Sequence, residues 1–143
     1  MTNDVTGVES VQNILNNLAP KHARNLARAT IQGIASEIAK DARTNAPRDT
    51  GDLRKAIKVK RRRGKPDQPI SDVMVEHGRS AKHDAFYWRF VEYGTAGPTG
   101  QPERPFIRPA AEKMRANFPA VYREQFGKKL EAMLRRDAKK RAK

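Results

Sequence analysis

The chain has no cysteine. That removes disulfides, thiolate metal centres and cysteine nucleophiles together, and it fits a reducing compartment. Apolar material is also short, since hydrophobic residues fill 37% of the 143 positions while charged residues fill 32%. The apolar share lies below that of most globular domains, so part of the chain is expected outside the packed body or against a partner. No apolar run approaches the roughly 20 residues that span a bilayer. Met1-Thr2-Asn3-Asp4 carries neither the basic charge nor the apolar run of a secretory leader. No membrane partner is therefore expected, and the length suits a single domain over 1–143.

Acidic residues are scarce too: 16 against 30 lysines and arginines, a net charge of +14. The excess is local. Residues 54–65 hold Arg54, Lys55, Lys58, Lys60, Arg61, Arg62, Arg63 and Lys65 with no acid, a contribution of +8. Residues 128–143 contribute the other +6, and the remainder of the chain is neutral. The two basic segments are devices on a neutral body. Each can meet phosphates, where counterion release makes binding strong and salt-dependent. Each can equally meet an acidic protein surface or be solvated.

Apolar periodicity gives most of the elements. Val8, Val11, Ile14, Leu15 and Leu18 predict a short amphipathic helix over 7–18, within an N-terminal arm 1–19. Ala27, Ile31, Ile34, Ala35, Ile38 and Ala42 predict a long helix from about 20 to 45, which stops before Pro47. Its stripe is narrow and rich in alanine, so it buries little area without a sheet or another subunit across it. Asp49-Thr50-Gly51-Asp52 reads as a turn. Alternation over 56–60 and again over 70–76 predicts two antiparallel strands, a basic hairpin. Residues 85–93 fit a third strand or a short helix, their periodicity being mixed. Residues 105–141 predict a long helix with a broad apolar face from Ile107 to Leu134, kinked at Pro119 and ending in a basic tail over 128–143. The fold class expected is α+β, a small antiparallel sheet flanked by the two long helices.

Aromatics are few, nine in all, yet five fall within eight positions as Phe86-Tyr87-Trp88-Arg89-Phe90-Val91-Glu92-Tyr93. Such a concentration marks either a small core or a contact surface. Three segments then resemble one family in the right order. Residues 45–57, Asn-Ala-Pro-Arg-Asp-Thr-Gly-Asp-Leu-Arg-Lys-Ala-Ile, are similar to the first motif of the small neck or tail-completion proteins of long-tailed, lambdoid siphophage-type bacteriophages. Residues 87–95, Tyr-Trp-Arg-Phe-Val-Glu-Tyr-Gly-Thr, resemble its second motif, and 105–110, Pro-Phe-Ile-Arg-Pro-Ala, its third.

The resemblance implies a structural virion protein that completes the tail or joins it to the head. It implies a ring homo-oligomer, with a hexamer favoured, set against connector, tail-terminator or tail-tube proteins, with genome DNA a candidate in the lumen. The location implied is the virion neck or tail, and the host cytoplasm during assembly. Seam candidates are Tyr87, Trp88, Phe90, Glu92, Tyr93, Gly94, Thr95, Arg104 and Phe106. Polyanion candidates are the eight basic residues of 54–65.

Chemistry-bearing patterns are otherwise thin. His22, His77 and His83 are scattered, and 94–100 is glycine-rich but lacks the Lys-Ser/Thr of a phosphate loop. Asp49, Asp52, Glu76 and Glu92 lack the spaced basic residue of a nuclease site, and one Asp-Thr-Gly tripeptide does not make an aspartic protease. No catalytic residue, metal or cofactor is expected. The competing class is a small basic nucleic-acid-binding protein, nuclease or toxin that grips phosphates through 54–65.

Overall fold

A computed structural model describes residues 20–48, 51–65 and 67–143. The expected helix over 7–18 and the pair Asp49-Thr50 lie outside the described residues. Six elements follow in order: α1 Pro20–Asn45, α2 Asp52–Ala56, β1 Ile57–Arg62, β2 Ile70–Val75, α3 Trp88–Tyr93 and α4 Ile107–Arg141. This is an α+β chain with its two long helices flanking a two-stranded antiparallel sheet. No described helix is long and apolar enough to cross a membrane.

Proline opens α1 at a position where its missing N–H costs nothing, and Ala46-Pro47 closes it. After the turn, the guanidinium of Arg54 donates to the Ala46 carbonyl at 3.0 and 3.2 Å, and Arg43 donates to the Ile57 carbonyl at 2.7 Å. Two arginines thus tie the end of α1 to the start of the sheet. The β1–β2 register pairs Ile57 with Val75 and Val59 with Val73, turning those four side chains toward α1, while Lys58 and Lys60 are exposed.

The core is assembled around small residues. Ala39, Ala42, Ala46, Ala56, Ala85 and Ala110 are buried with Leu53, Ile57, Val75 and Phe106. Alanine permits close approach of backbones but removes little area from water, so Phe106, fully buried, is the single large plug. The buried face of α1 is Leu26, Thr30, Ile34, Ala35, Ala39 and Ala42, rotated from the expected stripe. Ile31 and Ile38 are only half-buried, because α1 serves two neighbours, the sheet and α4, and these isoleucines stand at the groove between them. Thr30 is tolerated inside because its hydroxyl donates to the Leu26 carbonyl at 2.8 Å.

α4 runs antiparallel to α1, with Lys113 beside Asp41 at 3.2 Å and Gln125 beside Glu37 at 2.7 Å. It continues through Pro119, whose ring nitrogen has no hydrogen to donate to the Arg115 carbonyl. Of its broad expected face only Ala110, Met114 and Leu130 are buried. The rest of that face is half-buried or exposed: Phe118 borders the groove beside α1, and the Tyr122 ring lies between those of Phe118 and Phe126, centroids 5.8 Å apart on each side. The basic segment 128–141 is part of that helix.

Candidate subunit interface

The aromatic run forms a helix rather than a strand. Ala85 and Tyr87 offer carbonyls to the N–H groups of Trp88 (3.0 Å), Phe90 (3.0 Å) and Val91 (3.3 Å), winding the chain into α3. Gly94 ends it at φ +70°, a left-handed conformation that favours glycine. A Cβ there would stand 2.8 Å from the Gln101 carbonyl oxygen and 2.9 Å from the Glu103 nitrogen, so the site is closed by backbone as well. Thr95 clasps the following loop, its hydroxyl accepting from the Gln101 N–H at 2.7 Å and its own N–H donating to the Gln101 carbonyl at 3.0 Å. The loop then returns against α3, where the Arg104 N–H donates to the Val91 carbonyl at 2.8 Å.

Glu92 is the hinge-pin of this junction. Only 1% of it is exposed, and its two carboxylate oxygens accept the backbone N–H groups of Phe106 (2.8 Å), Ile107 (3.1 Å) and Arg108 (3.0 Å). These are the unpaired donors at the start of α4, whose own N-cap side chain, a phenylalanine, has no oxygen to offer. The carboxylate also sits at the positive end of the α4 dipole. Arg108 completes the lock: its Nε donates to Glu92 at 3.1 Å, and its terminal nitrogen donates to the Glu92 carbonyl at 2.7 Å and the Glu103 carboxylate at 3.0 Å. Burial pushes the Glu92 pKa up, but the three N–H bonds and the guanidinium outweigh it, leaving the carboxyl below its ordinary value.

The seam candidates therefore separate into an inner and an outer set. Glu92 and Phe106 are corrected to the inside, one as the cap of α4 and the other as the core plug, because both are sealed within the chain. Tyr87 and Trp88 are half-buried against the core, while Gly94 and Thr95 shape the loop. Phe90 and Tyr93 point outward, 52% and 60% exposed, as does Phe86 at 67%. Spacings of four and three residues place these three along one side of a helical turn. Arg108 lies 5.0 Å over the Tyr93 ring, so the lock that holds α3 also steadies its outer face. Arg104 is exposed and lines a crevice with Tyr87 and Val91.

Arg108 stands in the third motif, where sequence alone assigns it no role. Its signal is the pairing of an acid embedded in an aromatic run with an arginine at the start of a helix.

The basic candidates divide as well. Arg54 is half-buried and donates from Nε and one terminal nitrogen to the Ala46 carbonyl, so it also serves as a structural tie. Lys55, Lys58, Lys60, Arg61, Arg62, Arg63 and Lys65 are exposed, with Arg62 paired to Asp72 at 3.0 Å. Arg28, Arg61, Arg63 and Lys65 help line an open cleft of about 350 Å³ at the hairpin tip.

Nothing in the described residues assembles a reacting centre. A crevice of about 290 Å³ opens where the first two motifs meet the loop before the third, between Pro47, Leu53, Tyr87, Val91 and Arg104, with no acid or histidine among its described lining residues. His83 faces Asp52 at 3.6 Å and His77 approaches the Val75 carbonyl at 3.0 Å. Among the described residues no group of three or more acids and histidines is placed to hold a metal ion.

No curated protein and no solved structure matches the chain. A family model described as "Bacteriophage HK97-gp10, putative tail-component" matches residues 9–94, which takes in the first two of the three motifs. That is more than half of the sequence, and the chain belongs to the HK97-gp10-like family of bacteriophage tail proteins.

Proposed function

We propose that the protein is a non-enzymatic structural component of the phage neck or tail end, working as a ring that completes the tail or joins it to the head. The observation that carries this reading is the outer face of α3. Phe90 and Tyr93 stand more than half exposed on an element held by a buried carboxylate, with Phe86 exposed in the turn before it. Aromatics held in water on a preorganised surface are what an interface supplies before its partner arrives. The alanine-built core agrees, since a thin core is completed when subunits cover one another. The virion is the location that follows, with a connector, tail-terminator or tail-tube protein as the adjoining layer.

Within such a ring the hairpin tip takes the role of a phosphate contact toward the genome. The clustering of Arg61, Arg63 and Lys65 around one open cleft supports it. Imaging of the virion with the neck resolved tests the reading: a closed ring of this chain at the tail end is expected. A single copy, or its absence from the virion, overturns it. Charge reversal of Arg61, Arg62 and Arg63 is expected to impair DNA retention without blocking ring formation, and unchanged retention removes the phosphate role.

A further inference from the structure

The chain carries two exposed apolar features that share no residue. One is the knob of Phe90 and Tyr93 on α3 with Phe86 in the turn before it. The other is a concave groove of about 470 Å³ between α1, β2 and α4, lined by Ile31, Ile38, Val73, Met114, Phe118 and Pro119 among others. Phe118 is 39% exposed there, and Ile31, Ile38 and Val73 are left half-buried. We infer that the knob of one copy docks into the groove of the next, head to tail, so that the ring seam is this single heterologous contact. The inference rests on the ring reading and specifies its contact.

Two observations favour a second copy as the occupant. A knob needs a hollow, and the same chain provides both, so one repeated contact covers both exposed features on every subunit. Two-fold pairing of knob with knob would leave the groove in water, whereas a heterologous contact closes into a ring when its rotation allows. Area agrees as well. Three aromatics at this exposure offer about 300 Å² of side chain, a core for a seam whose standard size is about 800 Å² per partner.

The absence of cysteine makes the test clean. Arg89→Cys places one thiol beside the knob and Arg115→Cys one at the groove, and both native residues are exposed. With a short bis-maleimide, the double variant is expected to give a ladder of dimers, trimers and larger species, and each single variant none. Cross-linking of either single variant to dimers indicates a two-fold contact and overturns the inference. So does a double variant that gives no ladder while native mass or virion imaging still shows a ring; the ring reading then survives and the knob-in-groove contact does not. A chain that is monomeric in solution and absent as a ring from virions ends both. Phe90→Asp in the double-variant background is expected to weaken self-association about ten-fold or more. The melting temperature serves as the check on folding, because Phe90 faces water in the single subunit.

Discussion

The two sides of α3 carry the same kind of residue in sequence and opposite kinds of work in the structure. Its inner side, Trp88, Val91 and Glu92, is bonded and packed into the subunit, and Glu92 alone accepts three backbone N–H groups. Its outer side, Phe90 and Tyr93 with Phe86 before them, touches water. If the outer side is the seam, as proposed, stability and association are separable here over a span of eight residues. A change on the inner side ought to unfold the subunit, and one on the outer side ought to leave it folded but alone.

The inner side offers the largest effect. Glu92→Gln keeps the shape but removes the charge that faces the α4 N-terminus and Arg108, and it leaves one acceptor where there were two oxygens. Breaking a buried, hydrogen-bonded charge of this kind costs about 3 kcal/mol or more, a fall in melting temperature of about 10 °C that thermal unfolding reads directly. The same residue sets a pH dependence. Its folded pKa is depressed below the ordinary 4.5, so its stabilisation is present above that value and is lost as pH falls through the lower, folded pKa. Wild-type protein should therefore lose melting temperature in that acid window, and the Glu92→Gln variant should lose less; equal losses would show that Glu92 is not the titrating group.

Gly94→Ala comes second. A left-handed φ together with a Cβ 2.8 Å from the Gln101 carbonyl oxygen costs about 1–3 kcal/mol, measurable as a shifted denaturant midpoint. Arg108→Lys is smaller, about 1 kcal/mol, because an ammonium cannot reach Glu92, its carbonyl and Glu103 at once. It sharpens the comparison by touching both sides: Tyr93 loses its guanidinium cover, so self-association should weaken more than stability does. Last, Phe90→Ser should change subunit stability by less than about 0.5 kcal/mol while abolishing assembly. A loss of several kcal/mol in the isolated subunit would erase the distinction between the two sides.

Much of this architecture was legible in the residue order, and the gaps have physical causes. Alternating Ile57-Lys58-Val59-Lys60 announced a half-buried strand because its period of two survives in the structure. The three-and-four spacing of Ile31, Ile34, Ala35 and Ile38 announced α1, although the buried face turned out rotated toward Thr30 and Ala39. Residues 85–93 could not be assigned because large side chains occupy both sides of the element, and period carries information only where one side is polar. The capping role of Glu92 was hidden for a different reason. Caps are ordinarily local, within three residues of the helix they serve, and this one reaches across 14. The family match ends at residue 94, so it contains the acceptor but none of its N–H donors. An acid set in Phe-Val-Glu-Tyr-Gly was the visible anomaly, and a carboxylate among aromatics needs a partner.

One feature of the hairpin bears on solubility rather than on contact. A sheet of two strands is all edge: β1 and β2 each pair on one side only, leaving a row of backbone groups open to any strand that aligns with it. Lys58, Lys60, Arg61 and Arg62 line β1, so another hairpin of the same chain would bring like charges into register along the whole strand. In the proposed assembly, where many copies of this chain are present at once, that repulsion opposes pairing of one β1 with another.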